Sequence, residues 1–99
     1  MKRLPTSLQL FGQTIRVEHI DHFVSLGDRF GDFDSKTNTI RVQALGFDTP
    51  DDVCMQAFHH ELFHAMCDLA GYHDWSSNEQ TTELFGQMLY QVEQSKKYS

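Results

Sequence analysis

Alternation of apolar and polar residues marks the first half of the chain as strand-forming. The alternating segments are residues 8–11, 14–17, 30–33 and 39–42. A short Gly12-Gln13 turn separates the first two, and a polar loop over residues 34–38 separates the last two. Such segments bounded by turn residues are typical of β-hairpins with one buried face. The pattern predicts two antiparallel hairpins, about four strands in all, joined by a connection over residues 19–28.

The second half of the chain carries apolar residues at helical spacing. The broad apolar stripe of the first helix contains Met55, Phe58, Leu62, Met66 and Leu69. Thr49 is expected to cap this helix, with Pro50 as its first residue and Gly71 just past its end. The opposite side is also mostly small or apolar, so the helix is expected to be covered on both sides.

A second helix is predicted to begin near residue 76 and to run to about residue 93. Ser76 with Glu79, and Ser77 with Gln80, form two overlapping capping boxes. Its expected apolar face contains Leu84, Phe85, Met88, Leu89 and Val92. Together the elements predict an α+β fold, in which an N-terminal antiparallel sheet packs on the first helix and the second helix follows. A single domain is expected over residues 1–99, with loose ends at 1–7 and 94–99.

The charge and the cysteine content limit which classes of partner and which cellular compartment are expected for this chain. Eight Lys and Arg against fourteen Asp and Glu give a net charge of −6, which argues against a nucleic-acid surface. No apolar run is long enough for a membrane span or a signal peptide. Cys54 and Cys67 would lie roughly 20 Å apart on one helix and cannot pair. Free thiols without an export signal favour a reducing cytoplasm.

The chain has six histidines, and two of them stand in a motif with known chemistry. His60-Glu61-Leu62-Phe63-His64 is an H-E-x-x-H within the first predicted helix. A spacing of four places both imidazoles on one helix face, where they can bind a single Zn²⁺. Glu61 is turned by about 100° and can reach the open side of the metal as a general base. The motif predicts one zinc ion at His60 and His64.

A catalytic zinc needs a third protein ligand, and several residues are candidates. Glu79 is the preferred ligand; Glu83, one turn later, is an alternative ligand or a carboxylate that orients one of the motif histidines. Gly86 on the same stripe would let this helix approach another closely. The other candidates are Cys67, Asp68, His73 and Asp74. Without a metal, this stripe would be a solvated acidic face, and Glu79 would only close a capping box.

The remaining histidines and two tyrosines have weaker assignments. His59 points about 100° away from the metal face and is expected to be structural. His19 and His22 fall in the unassigned connection and are expected at the surface. Tyr72 or Tyr90 could donate a hydroxyl to an oxyanion, although buried packing is the common role of tyrosine.

The motif and its surroundings resemble a known family. Residues 57–65, Ala-Phe-His-His-Glu-Leu-Phe-His-Ala, follow the predicted hairpins and precede Asn78-Glu79 and the helical residues 84–91. This arrangement resembles the small zincin-type metallopeptidase domains of phages and bacteria, notably the ImmA/IrrE-like and related minimal gluzincin-type proteins. The resemblance implies a minimal zincin-like fold, zinc at His60, His64 and Glu79, and a catalytic Glu61.

The function implied by the resemblance is zinc-dependent hydrolysis of peptide bonds in a protein or peptide substrate, in the cytoplasm of a bacterium or infected host cell. The substrate is expected to lie along the strand at residues 39–42, taken as a sheet edge. Cys67 stands where metzincins carry glycine, and no added domain walls a substrate cleft. Two alternatives stay open: a non-catalytic, zinc-stabilised phage or bacterial accessory protein, and a helix-hairpin interaction domain without metal.

Overall fold

The computed structural model describes residues 3–24 and 29–98. These residues form a four-stranded sheet followed by three helices. The elements are β1 (Ser7–Leu10), β2 (Gln13–Ile20), β3 (Gly31–Asp34), β4 (Thr39–Gln43), α1 (Asp51–Ala70), α2 (His73–Ser76) and α3 (Glu79–Ser95). The predicted α+β class is confirmed, with the sheet at the N-terminal end and the motif helix packed on it.

The four strands lie in the order β1-β2-β4-β3. The pairs β1–β2 and β3–β4 are antiparallel and correspond to the two predicted hairpins. The first hairpin turns at Phe11 and Gly12, whose φ angles of 50° and 75° suit a tight two-residue turn. This turn lies one residue earlier than predicted.

The join between the hairpins differs from the expected antiparallel sheet. β2 and β4 run parallel, with Val17 opposite Ile40 and His19 opposite Val42. The chain leaves β2 at Ile20 and crosses over before β3, so β3 takes the edge and β4 returns beside β2. His19 therefore lies in a strand rather than in the connection; residues 25–28 of that connection lie outside the described residues.

One face of the sheet is apolar and packs on α1. Its buried cluster contains Ile15, Val17, Ile40, Val42 and Phe58. The other face carries charged side chains, including Arg16, Glu18 and Arg41, of which Arg41 forms an ion pair with Asp32. This alternation is expected of a sheet with one solvated face.

α1 begins and ends close to the predicted positions. Its first residue is Asp51, and no side chain caps its first turn, so Thr49 is not the predicted cap. Gly71 ends the helix in the left-handed conformation, with φ 82°, as predicted. The sheet covers one side of α1 and α3 another, which confirms its expected central position.

The start of α3 corrects the capping prediction. Asn78 is the N-cap, and its side chain accepts a hydrogen bond of 3.1 Å from the backbone N–H of Thr81. The capping boxes at Ser76 and Ser77 are therefore wrong. Residues 73–76 instead form the separate short helix α2, which the apolar pattern did not predict.

The buried face of α3 also differs from the prediction. Leu84, Met88 and Val92 are 55%, 50% and 54% exposed. The stripe that packs against α1 carries the buried residues Thr82, Gly86 and Tyr90. The reason is geometric, because a stripe with a glycine at its centre permits closer approach than a stripe of large side chains.

Described residues near both ends of the chain belong to the fold. Within residues 3–7, Leu4 packs against the core and the Thr6 carbonyl accepts a 2.9 Å hydrogen bond from the N–H of Val17. α3 continues to Ser95, beyond the expected start of the C-terminal loose end. In the part of the chain that the structure describes, no helix combines the length and the hydropathy needed to cross a membrane.

Candidate metal centre

α1 and α3 bring three of the predicted site residues together. His60 and His64 lie on consecutive turns of α1, with ring centroids 5.0 Å apart. Glu79, the first residue of α3, places Oε2 3.3 Å from His60 Nε2 and Oε1 3.4 Å from His64 Nε2. One ligand atom from each residue can be chosen so that all three lie within 4.8 Å of one another.

The donor set and its spacing fit zinc. Two imidazole nitrogens and one carboxylate are a common protein ligand set of catalytic zinc. Ligand atoms 2.0–2.1 Å from a tetrahedral zinc ion stand about 3.3 Å apart. Each Nε2 atom lies at about this spacing from one Glu79 oxygen, Oε2 for His60 (3.3 Å) and Oε1 for His64 (3.4 Å). With one ligand atom from each residue within 4.8 Å of the others, the group could hold one metal ion.

Both imidazoles are held at their other ring nitrogen. His60 Nδ1 lies 3.0 Å from Glu83 Oε2, and His64 Nδ1 lies 2.9 Å from Ser76 Oγ. A hydrogen bond at Nδ1 fixes the ring and leaves the Nε2 lone pair directed at a metal. The structure thus places Glu83 behind His60, which is the orienting position considered for it, and outside the group of three ligand atoms.

Gly86 sets the distance between the two helices that form the centre. A Cβ at this position would lie 2.8 Å from His60 Cα and 3.0 Å from His60 N. These separations are too short for any side chain, so α3 lies directly on the backbone of α1. Because Glu79 is two turns before Gly86 on α3, the close approach carries its carboxylate to the two histidines.

Glu61 lies beside the three residues but is not one of them. Its side chain is buried, and its Oε2 is 4.0 Å from His60 Nε2. Gly31 of β3 covers it closely, since a Cβ at Gly31 would lie 3.2 Å from Glu61 Cγ. Among the described residues, no group hydrogen-bonds to the Glu61 carboxylate.

The surroundings of Glu61 favour its protonated form. Burial raises its pKa to about 8, and the negative charges of Asp32 and Glu79 add to the shift, while Arg29 opposes it. A carboxyl group that titrates near neutrality can both accept and release a proton. Burial also lowers the pKa of His64, and the neighbouring His60 adds to that shift, so the neutral ring that a metal requires is favoured.

A cleft of about 300 Å³ opens onto this centre. α1 and α3 form two of its walls, and the segment entering β3 forms the third. Arg29 lies on that third wall, where its Nη2 is 3.7 Å from Glu79 Oε1. The cleft gives a ligand access from one side to Glu61 and to two of the candidate metal ligands, His60 and Glu79.

Within residues 3–24 and 29–98, the sheet edge beside the cleft presents backbone groups without a hydrogen-bond partner. Gln43 N–H donates to the Phe30 carbonyl at 2.8 Å, which makes this residue pair hydrogen-bonded. In the antiparallel register of β3 and β4, the next residue along each strand points its backbone groups the other way. Gly31 and Phe33 therefore direct N–H and C=O away from β4, along an edge that begins next to Glu61.

The other ligand candidates lie outside the cluster. His73 is 73% exposed at its side chain, and its Nδ1 is 3.3 Å from Asp68 Oδ1. Asp74 lies in α2 and does not line the cleft. Cys67 and Cys54 are free and buried in α1, and burial raises the pKa of both thiols.

The remaining histidines occupy structural or surface positions. His59 is buried and its Nδ1 is 2.8 Å from the Met55 carbonyl; burial lowers its pKa. His19 Nε2 lies 2.8 Å from the Pro5 carbonyl. His22 makes an edge contact with the Phe47 ring.

Neither tyrosine considered for oxyanion stabilisation lines the cleft. Tyr90 is buried and donates its hydroxyl to Asp52 Oδ1 at 2.5 Å; burial and this hydrogen bond raise its pKa to about 12. Tyr72 is exposed and contacts the ring of Trp75. These contacts agree with the packing role that is common for tyrosine, and they give no support to an oxyanion role.

Three residues of the site were not predicted from the sequence. Ser76 was assigned to a capping box, although it supports His64. Arg29 and Gly31 reach the cleft only through the strand order of the sheet. The hairpin pattern around residues 31–42 was visible, but nothing local shows which of its strands is the edge.

Comparison with known proteins identifies no relative. No family model matches the chain, and no curated protein or solved structure matches it. The resemblance to small zincin-type domains remains a prediction made from the motif.

Proposed function

We propose that this protein is a zinc-dependent metallopeptidase that uses Glu61 as general base. The observation that carries the proposal is the convergence of His60, His64 and Glu79 beside the buried Glu61, on an open cleft. A zinc ion held there would lower the pKa of a bound water and, as a Lewis acid, would polarise the substrate carbonyl.

Glu61 has the position and the basicity for proton transfer. Its carboxylate stands close to the ligand atoms without belonging to them, and no other described group occupies its oxygens. Next to a divalent cation its pKa would fall, because opposite charge favours the ionised form. Glu61 would then accept a proton from the attacking water and deliver it to the leaving amine.

The neighbouring side chains prepare the histidines for this role. Glu83 and Ser76 hold the Nδ1 atoms of His60 and His64, and both rings present Nε2 to the Glu79 carboxylate. The two hydrogen bonds already restrict rotation of the rings, so less conformational entropy would be lost when a metal binds. This arrangement supports a preorganised site.

β3 is the edge along which an extended substrate would bind. The expected edge, the strand at residues 39–42, is wrong because β4 is paired on both sides. A peptide could instead add to β3 through the free groups of Gly31 and Phe33. Since Gly31 packs on Glu61, such a peptide would pass the general base.

A second candidate function is a zinc-stabilised accessory or interaction protein without catalysis. The exposed Leu84, Met88 and Val92 of α3 favour it, because an apolar helix face is typical of binding surfaces. The two candidate functions differ in whether Glu61 has a chemical role. An interaction module has no need of a buried carboxylate beside an open metal position.

The test compares zinc-loaded wild type with Glu61→Gln on a diverse mixture of unstructured peptides, analysed by mass spectrometry. Loss of a general base typically lowers the rate by about 10²- to 10⁴-fold. We expect this loss at unchanged zinc content, and inhibition of the wild type by a chelator. Glu18→Gln, on the far face of the sheet, is the matched control and should cleave normally. Absence of cleavage by the loaded wild type, or equal cleavage by Glu61→Gln, would contradict the proposal.

A further inference from the structure

The charged residues that line the cleft are acidic with one exception. Glu61, Glu79 and Glu83 line it, and Arg29 is the cation among its described lining residues. The Arg29 side chain is 61% exposed and so faces the open side of the cleft. On a chain of net charge −6, an anionic ligand entering this cleft would be repelled unless Arg29 received it.

Arg29 makes only a long ion-pair contact with its present partner, Glu79. Its Nη2 is 3.7 Å from one oxygen of Glu79, which is longer than a hydrogen bond. The Glu79 oxygens also face His60 and His64, so a cation bound there would take up the negative charge that attracts Arg29. The guanidinium would then retain its planar set of N–H donors for a ligand.

The position of Arg29 in the chain places it next to the strand edge along which the substrate is proposed to bind. It lies two residues before Gly31, the first edge residue, which itself packs on Glu61. An extended peptide rises about 3.3 Å per residue. A side chain one or two residues from the bond next to Glu61 would therefore come within reach of the guanidinium.

We infer that Arg29 is a specificity-determining residue that binds a carboxylate of the peptide, one or two residues from the scissile bond. The inference rests on the proposed function for the position of that bond. The carboxylate belongs either to an Asp or Glu side chain or to a free C-terminus. Both groups match the fork of a guanidinium and would form a two-point, charge-assisted pair with it.

The first measurement is kcat/KM on matched peptides. One pair exchanges Glu for Gln near the cleavage site, and another exchanges a free C-terminus for an amide; the two pairs distinguish the sources of the carboxylate. For wild type we expect a preference of about 10- to 100-fold for the carboxylate in at least one pair. In Arg29→Ala the preference should fall to about one, and Arg29→Glu should prefer a Lys peptide.

Matched controls separate recognition from a general charge effect. Arg16→Ala removes an equally exposed arginine, paired with Glu18 on the far face of the sheet, and should keep the wild-type preference. Arg29→Lys keeps the charge but loses the fork, so its preference should be intermediate. Zinc content and circular dichroism of every variant verify that the site and fold persist.

A binding measurement separates this inference from the proposed function. Fluorescein-labelled peptides of both pairs are titrated with zinc-loaded Glu61→Gln, with and without Arg29→Ala, and anisotropy gives Kd. A carboxylate preference that depends on Arg29 supports the inference even if the wild type cleaves nothing. An absent preference, or an equal loss on acidic and neutral peptides in Arg29→Ala, would overturn it, whether or not cleavage occurs.

Discussion

At the residue scale, the buried Glu61 should destabilise the metal-free protein at neutral and higher pH. Its pKa is raised to about 8 by burial, against an ordinary value of 4.5. The folded state therefore binds more protons than the unfolded state between these two values, and the free energy of unfolding falls as pH rises through this window. Metal binding would relieve this cost, which couples Glu61 to the metal centre.

Glu61→Gln should remove this pH dependence. In EDTA, the variant should be as stable as wild type near pH 4 and more stable at pH 8, by at most about 4 kcal/mol. Urea unfolding of both proteins across this range measures the difference, and the titration of all other groups cancels in it. If the free energies of unfolding of the two proteins depend on pH in the same way, the Glu61 carboxylate is not the source of the destabilisation.

The two residues behind the histidines should tune zinc affinity. Ser76→Ala and Glu83→Gln each weaken the support at one Nδ1 atom, and loss of such support typically lowers metal affinity by about 10- to 100-fold. Competition with a chromophoric chelator measures the change. Ser77→Ala is the control, because the Ser77 hydroxyl donates to the Asp74 carbonyl and touches neither histidine. Unchanged affinity in both variants would mean that the hydrogen bonds do not prepare the site.

At the element scale, the candidate metal centre depends on how closely α3 lies on α1. Thr82, Gly86 and Tyr90 form the buried stripe, and Gly86 is in contact with the backbone of His60. Leu84, Met88 and Val92 are left on the exposed side of α3, while Phe85 and Leu89 are half-buried. Close packing at one glycine thus takes precedence over burial of the more hydrophobic face.

Gly86→Ala should both destabilise the fold and weaken zinc binding. The new methyl group would lie 2.8 Å from His60 Cα, so the helices must separate. Overpacking of this kind typically costs about 1–3 kcal/mol, despite the better helix propensity of alanine. Urea unfolding and zinc titration check the two effects. Gln91→Ala, at an exposed position of α3 more than three turns after Glu79, should change neither; a Gly86→Ala protein with wild-type affinity would contradict the packing argument.

Local elements could be predicted from the sequence because their signals are local. Turn residues, period-two alternation and helical spacing give both hairpins and both long helices. The parallel pairing of β2 with β4 could not be predicted, since either strand of the second hairpin could dock on β2. The exposed face of α3 was missed for a similar reason, because hydrophobicity alone does not show how closely two helices approach.

At the scale of the whole molecule, the apolar core and the candidate metal centre hold different pairs of elements together. The buried cluster joins the sheet to α1. α3 is joined to α1 by its buried stripe and by the candidate metal centre, to which α1 contributes His60 and His64 and α3 contributes Glu79. In a chain of 99 residues, which buries a modest core, a metal that linked the two helices would contribute folding free energy.

The same division decides how much of the site could be predicted. The His60, Glu61 and His64 positions follow from one helical motif, whereas Glu79 was the preferred one of several candidates for a third ligand. Ser76 and Arg29 join the site only through the packing of α2 and the sheet on α1. Their roles depend on tertiary placement, which no spacing along the chain encodes.

The zinc content of the purified chain tests the central claim most directly. The protein is stripped with chelator, reloaded, dialysed and analysed by mass spectrometry for metal. We predict one zinc per chain in wild type, a loss in His60→Ala, His64→Ala and Glu79→Ala, and full retention in Cys67→Ser and His73→Ala, each with a preserved circular dichroism spectrum. A wild type without zinc, or variants of the three ligands that retain it fully, would contradict the account.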